Sequence, residues 1–231
     1  IITDHPWSDK KSNKGGNRHF DSSYSGFRYE VDDFKEKARV LKPGAFLVEV
    51  LPAENENNFD YLYALKKLAE EAGFKYYAKV PWKKGNFVSN TGRKSKNTED
   101  LMIFSKGKAR NLRPDKKKTK KTGIDHYMSG TAEMLPTEFD YQVASNKKKI
   151  HQAEKPIDLY ERLLELLTKP GEIVLYQFTG SGNLGVAAHR TGRFAVLIEI
   201  LKDNVDKIRN RMSEHSIHTQ VVQTNTSSTA S

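Results

Sequence analysis

Apolar positions along the 231-residue chain change period repeatedly, from unbroken runs to helical spacing and back. A short apolar strand ends at Asp4, and a polar loop rich in Gly, Ser and Asn continues to Gly26, a length that predicts a functional or mobile segment. Asp33 to Leu41 reads as a helix, Lys42-Pro43-Gly44 as a turn, and AFLVEVL (45–51) as a buried strand. Tyr61, Leu65, Leu68 and Ala72 then recur at helical spacing, Gly73 supplies a C-terminal stop, and FKYYAKV (74–80) returns to strand character. DLMIFS (100–105) is a further short strand, after which the chain reads as irregular to about Lys149.

Alternation resumes with a helix from Pro156 to Thr168, carrying Leu159, Leu163 and Leu167 on one face, and a Lys169-Pro170-Gly171 turn. EIVLYQF (172–178) is the next strand, TGSGN a glycine-rich turn, LGVAAHRT a short helix and FAVLIEI (194–200) another strand, which together make one βαβ unit. A last helix spans about Asp203 to His215, with Val205, Ile208 and Met212 on one face, and residues 218–231 read as a disordered tail. Strands alternating with helices predict an α/β fold with an open, mostly parallel sheet.

Charge sharpens this picture. The net charge is +10, and the run from Lys106 to Lys121 carries nine basic residues (Lys106, Lys108, Arg110, Arg113, Lys116, Lys117, Lys118, Lys120, Lys121) against one Asp. Such a segment suits backbone phosphates or a solvated linker equally well. The chain has no cysteine, which excludes disulfides and thiolate metal sites and fits a cytoplasmic protein. Its seven histidines are scattered, and His215 and His218 sit beside the polar tail, so no metal site is expected. No run approaches a membrane span and IITDHPW lacks the features of a signal peptide, so a soluble, unexported protein without a membrane partner is expected.

In an α/β sheet, ligands bind beyond the carboxyl ends of the strands, where amides at a helix start are exposed. Phe178, Thr179, Gly180, Ser181, Gly182 and Asn183 occupy that place. Gly180 and Gly182 permit close backbone approach, and Glu199 near the end of the following strand can accept hydrogen bonds from two ribose hydroxyls, which together describe an adenosine site. GSGNLG also satisfies the GxGxxG dinucleotide fingerprint, but only one helix and a polar tail follow Ile200, leaving no second mononucleotide half downstream.

Asp4-His5-Pro6-Trp7 follows a strand and so falls on the same edge of the sheet. The amino group of a nucleobase is a poor nucleophile because its lone pair is delocalised, and Asp4 with the His5 carbonyl could hold both amine hydrogens while Trp7 stacks on a base taken out of its duplex. Taken alone, the tetrapeptide reads more readily as an ordinary strand-to-turn stop with a packed Trp.

The order of segments changes that balance, because the chain resembles the beta class of DNA amino-methyltransferases, in which the catalytic motif precedes the cofactor motif. DHPW is similar to their DPPW or DPPY, NTEDLMIFSKG to the segment before the target-recognition region, and KPIDLYERLLELLTKPGEIVL to the helix and strand leading into the cofactor loop. FTGSG resembles that loop, and GRFAVLIEI the strand carrying the ribose-binding acid. The resemblance spans nearly the whole chain and implies a Rossmann-like, S-adenosylmethionine-dependent methyltransferase fold with circularly permuted motif order. It divides the chain into a catalytic half (1–105), a basic target-recognition insert (106–149), a cofactor-binding half (150–217) and the tail (218–231).

The resemblance further implies that Lys155 and Pro156 border the cofactor, that the basic run contacts double-stranded DNA, and that a homodimer can form. It implies transfer to an exocyclic amine, with the acidic first residue of the motif favouring adenine N6 over cytosine N4. A binding protein that has kept the fold but lost transfer, or an enzyme acting on RNA, are the alternatives. Two departures stand out: His5 replaces the usual proline, and Tyr176 stands where Asp is common. Because Ile1 lies immediately before the motif, a preceding strand or helix is also expected.

Overall fold

A computed structural model describes residues 1–6, 28–85, 98–112, 115–119, 125–129, 135–143 and 154–223, the segments 115–119 and 125–129 by their backbone. The elements in chain order are β1 (Ile2–Thr3), α1 (Val31–Val40), β2 (Phe46–Pro52), α2 (Phe59–Glu71), β3 (Phe74–Lys83), β4 (Thr98–Lys106), β5 (Asp115–Thr119), β6 (Asp125–Ser129), β7 (Phe139–Asp140), α3 (Ile157–Leu167), β8 (Ile173–Tyr176), α4 (Asn183–Arg190), β9 (Phe194–Leu197) and α5 (Lys202–Glu214).

The main sheet has the order β1-β2-β4-β3-β7. β1 runs parallel to β2 and β7 parallel to β3, whereas β4 is antiparallel to both of its neighbours. Four of the five strands therefore point one way, and β4 is the reversed one. A parallel β8–β9 pair lies beside β1 and continues the layer.

Alternation along β2 decides what covers each face. Phe46, Val48 and Val50 pack with Val80, Trp82, Leu101 and Ile103 against α3 and α4, through Leu159, Leu163, Leu164, Leu184 and Ala187. Leu47 and Leu51 face the other way, onto Phe34 of α1 and Leu62, Leu65 and Ala69 of α2. The result is three layers, helices on both faces of one sheet. Glu49 sits on the second face between two buried leucines, a charged residue at a core position.

Each helix and strand expected from the apolar pattern is present, with ends moved by a few residues. The stretch expected to be irregular differs: Asp115–Thr119 pairs with Asp125–Ser129 in an antiparallel hairpin, and Phe139–Asp140 pairs with Trp82 and Lys83 at the end of β3. The lysine-rich β5, the five-residue DHYMS of β6 and the two-residue β7 lack the apolar alternation by which strands are recognised.

The reversal of β4 also decides where two of the residues expected to contact DNA lie. Glu99 opens β4 at the edge where the parallel strands end, and seven residues later Lys106 closes it at the opposite edge, about 23 Å away at strand rise. There the Lys106 Nζ donates to the Leu41 carbonyl at 2.8 Å. Arg110 donates to both carboxylate oxygens of Glu172 at 2.5 and 2.7 Å and to the Leu167 carbonyl at 3.2 Å. These two cations fasten the segment after β4 to the body of the fold, while Lys108 is exposed. Lys116, Lys117 and Lys118 lie on β5, and Arg113, Lys120 and Lys121 fall outside the described residues.

Because the Arg110–Glu172 pair is only about one-fifth exposed, Arg110→Ala is expected to lower the unfolding free energy by about 2 kcal/mol, read from the urea midpoint. It should leave the salt dependence of DNA binding unchanged, whereas loss of a phosphate contact would reduce the slope by about one.

Candidate active site

The carboxyl ends of β1, β2, β3 and β8 meet at one edge, and the first residues of β4 rise between them. Register places Glu99 opposite both Pro52 and Trp82. Asp4, immediately after β1, projects into this edge and is half-buried. Its Oδ2 accepts a hydrogen bond from Lys155 Nζ at 2.6 Å, and the same ammonium lies 3.2 Å from Glu99 Oε2. Lys84 forms a second ion pair with Glu99. Two carboxylates and two ammonium groups thus alternate in one chain, Asp4–Lys155–Glu99–Lys84, beside the fully buried Trp82 ring, whose Nε1 donates to the Tyr141 carbonyl at 2.9 Å.

Burial raises the Asp4 carboxyl above the usual carboxylate range, opposed by Lys155 and reinforced by Glu99. Burial acts in the same direction on Glu99, but there Lys155 and Lys84 prevail and hold it low. Lys155 keeps its proton firmly: burial would lower it, but the two carboxylates raise it well above the ordinary value.

The glycine loop adjoins this cluster through the backbone of the same lysine. Asn183 Nδ2, at the first turn of α4, donates to the Lys155 carbonyl at 2.7 Å and to Glu154 Oε1 at 3.0 Å. Arg211 of α5 braces the loop from behind, donating to the Ser181 carbonyl and Glu154 Oε1, both at 3.1 Å, and to Asn183 Oδ1. Gly182 caps α4 at φ 77°, and a Cβ there would come within 3.0 Å of Ile208 Cγ2, so both conformation and space require glycine. Gly180 N donates to Glu199 Oε2 at 3.1 Å, and Leu201 N to Glu199 Oε1 at 2.9 Å. The Glu199 carboxylate is thereby fixed beside the loop. Pro156 caps α3, and the Phe178 ring lies 6.5 Å from that of His5.

Asp4, His5, Lys155, Pro156, Phe178, Gly180, Ser181, Gly182, Asn183 and Glu199 are therefore gathered along one edge from segments 151 residues apart at the extremes of the central ion pair. Trp7 lies outside the described residues. Sequence reasoning passed over Glu99, Lys84, Glu154 and Arg211. Glu49 carried a usable signal, being the one charge within an apolar strand.

Tyr176, at the position where the resembling proteins commonly carry Asp, is buried with its hydroxyl 2.9 Å from that of Tyr160. Among the described residues no group of three or more His, Asp or Glu side chains could hold a metal ion, and no helix is long and apolar enough to cross a membrane.

Known proteins are similar to this chain in sequence and in fold. A Type II methyltransferase of Haemophilus parainfluenzae, M.HpaI, is 27% identical over 218 residues, covering 92% of this chain and 67% of that protein. The Type II methyltransferase M.BglI of Bacillus subtilis is 33% identical over 141 residues, of which this chain spans 38% of the relative's length. Among solved structures, the M1.HpyAVI–SAM complex superposes with a TM-score of 0.63 at 21% identity, covering 91% of this chain and 86% of that one. The cytosine-N4-specific PvuII DNA methyltransferase gives 0.61 at 20% identity, covering 91% and 78%. A family model for DNA methylases of the N6/N4 type matches residues 1–210, and with nearly the whole chain so covered, the protein belongs to the N6/N4 DNA methylase family.

Proposed function

We propose that the chain transfers a methyl group from S-adenosylmethionine to the N6 amine of adenine in double-stranded DNA. The observation that carries this reading is the placement of the Asp4 carboxylate, tied through Lys155 to the glycine loop at the same sheet edge. The residues present fit the cofactor. Glu199, oriented by two backbone amides, would take the ribose hydroxyls, and the Phe178–Asn183 loop with Lys155 and Pro156 would line the remainder. When bound, S-adenosylmethionine supplies a methyl group activated on a sulfonium.

The chain's own residues then have to orient a weak nucleophile. Lys155 occupies Asp4 Oδ2, so Oδ1 is the oxygen that receives one amine hydrogen, and the His5 carbonyl receives the other. Holding both hydrogens turns the nitrogen lone pair out of conjugation and along the transfer axis, a contribution of positioning and electrostatics. Asp4 performs this best as a carboxylate, and Lys155 favours that form against the effect of burial. An acidic first residue in the motif favours adenine over cytosine.

Methyl transfer from labelled S-adenosylmethionine to unmethylated duplex DNA, followed by nucleoside analysis, tests the assignment. Labelled N6-methyladenine is expected, and Asp4→Ala should reduce it by roughly 100- to 1,000-fold. N4-methylcytosine would overturn the choice of base, and binding without label would overturn the enzyme assignment.

Lys155→Met removes the group that keeps Asp4 ionised. Because the carboxylate accepts the amine hydrogen more strongly than the protonated acid, the acid limb of the kcat–pH profile is expected to move upward. An unmoved limb would mean that Lys155 does not act through Asp4.

A further inference from the structure

Proline at the second position of the motif would lock its own φ, whereas histidine leaves the backbone torsion to be fixed by other means. The His5 side chain is 1% exposed and is enclosed from several elements. Its Nε2 pairs with the Tyr61 hydroxyl from α2. Its Nδ1 lies 3.6 Å from Glu49 Oε2 on β2. The Tyr29 ring packs against it with centroids 4.5 Å apart, and Phe178 lies on the cofactor-loop side.

Glu49 is itself fixed by Lys37 Nζ from α1 at 2.5 Å and by the Tyr29 hydroxyl at 3.2 Å. Lys37 and the neighbouring imidazole hold its carboxyl below the usual range although burial pushes the other way. The Tyr61 hydroxyl can donate to Nε2, which leaves the Nδ1 side of the ring turned toward the Glu49 carboxylate. The Lys37 and Glu49 side chains are both wholly buried. Such a pair at best breaks even against apolar residues of the same size, and Leu47 and Leu51 on the same face show that this layer accommodates them. Stability alone therefore does not account for it.

Resting on the assignment of the His5 carbonyl as an acceptor of the substrate amine, we propose that Tyr61 and Glu49 are positioning residues for methyl transfer. They act through the His5 imidazole, which they clamp from opposite sides, and so replace the proline ring in fixing the backbone of the catalytic tetrapeptide. Tyr61 touches neither substrate nor cofactor in this role.

Steady-state methyl transfer by Tyr61→Phe, His5→Ala and the double variant tests the clamp, together with ¹⁵N-histidine NMR of the parent and Tyr61→Phe, the His5 resonance being identified by its loss in His5→Ala. Tyr61→Phe is expected to lower kcat roughly 10- to 100-fold with little change in KM for DNA, and to cost nothing further in the His5→Ala background. Its His5 Nε2 resonance should shift. Equal losses in both backgrounds, or an unmoved resonance, would overturn the clamp. Glu49→Gln, which keeps the shape of the side chain, should likewise lower kcat in the parent and be silent beside His5→Ala. A parent that transfers no methyl group would refute the functional assignment, and the NMR resonance would still decide whether Tyr61 holds the ring.

Discussion

The buried ammonium of Lys155 is the constraint from which the geometry of the site follows. Two carboxylates cannot be withdrawn from water side by side without a compensating cation, and an ammonium cannot be buried without acceptors. Asp4 from the first strand and Glu99 from the reversed strand meet that requirement together, with Lys84 completing the charge balance. The backbone of the same lysine is held by Asn183 of the glycine loop. A single residue thus joins the two halves of the fold through its side chain on one side and its carbonyl on the other. Removing its side chain would free the Asp4 carboxylate and loosen its alignment with the loop at once.

The reversal of β4 has a second effect. By entering at the functional edge and leaving at the far one, it delivers Glu99 to the site and carries the start of the basic segment away from it. Lys106 and Arg110 then serve as anchors, bonded to Leu41, Leu167 and Glu172. The chain returns at β7, which pairs with the carboxyl end of β3. Among the described residues, a run of positive charge contiguous in sequence is therefore divided in space, with Lys106 and Arg110 fastened to the body of the fold and Lys116, Lys117 and Lys118 on β5.

Much of the fold was legible because helices and buried strands declare themselves by period. The α1–β2–α2–β3 and α3–β8–α4–β9–α5 successions follow from apolar spacing and glycine stops, and the family follows from the order of motifs along the chain. The hairpin was not legible, because DKKKT and DHYMS carry no apolar alternation. Nor were the partners of Asp4 and His5. Glu99 looks like any polar residue preceding a strand, and Lys37 like any helix cation. Only the pairing of β4 between β2 and β3, and the packing of α1 on the face carrying Glu49, give them their neighbours. Long-range register is not written into local pattern.

The replacement of a commonly acidic position by Tyr176 is consistent with the same charge balance. The Tyr176 hydroxyl bonds to Tyr160, and both phenols are held neutral by burial. The Asp4 charge acts on each of them, so the pair stands close to the Asp4–Lys155–Glu99 cluster. A carboxylate in that position would add a third acid to a cluster whose two acids are already matched by Lys155 and Lys84. It would raise Asp4 further toward its neutral form, a weaker acceptor than the carboxylate. A phenol fills the space, satisfies its own hydrogen bond with Tyr160, and leaves Lys155 committed to Asp4.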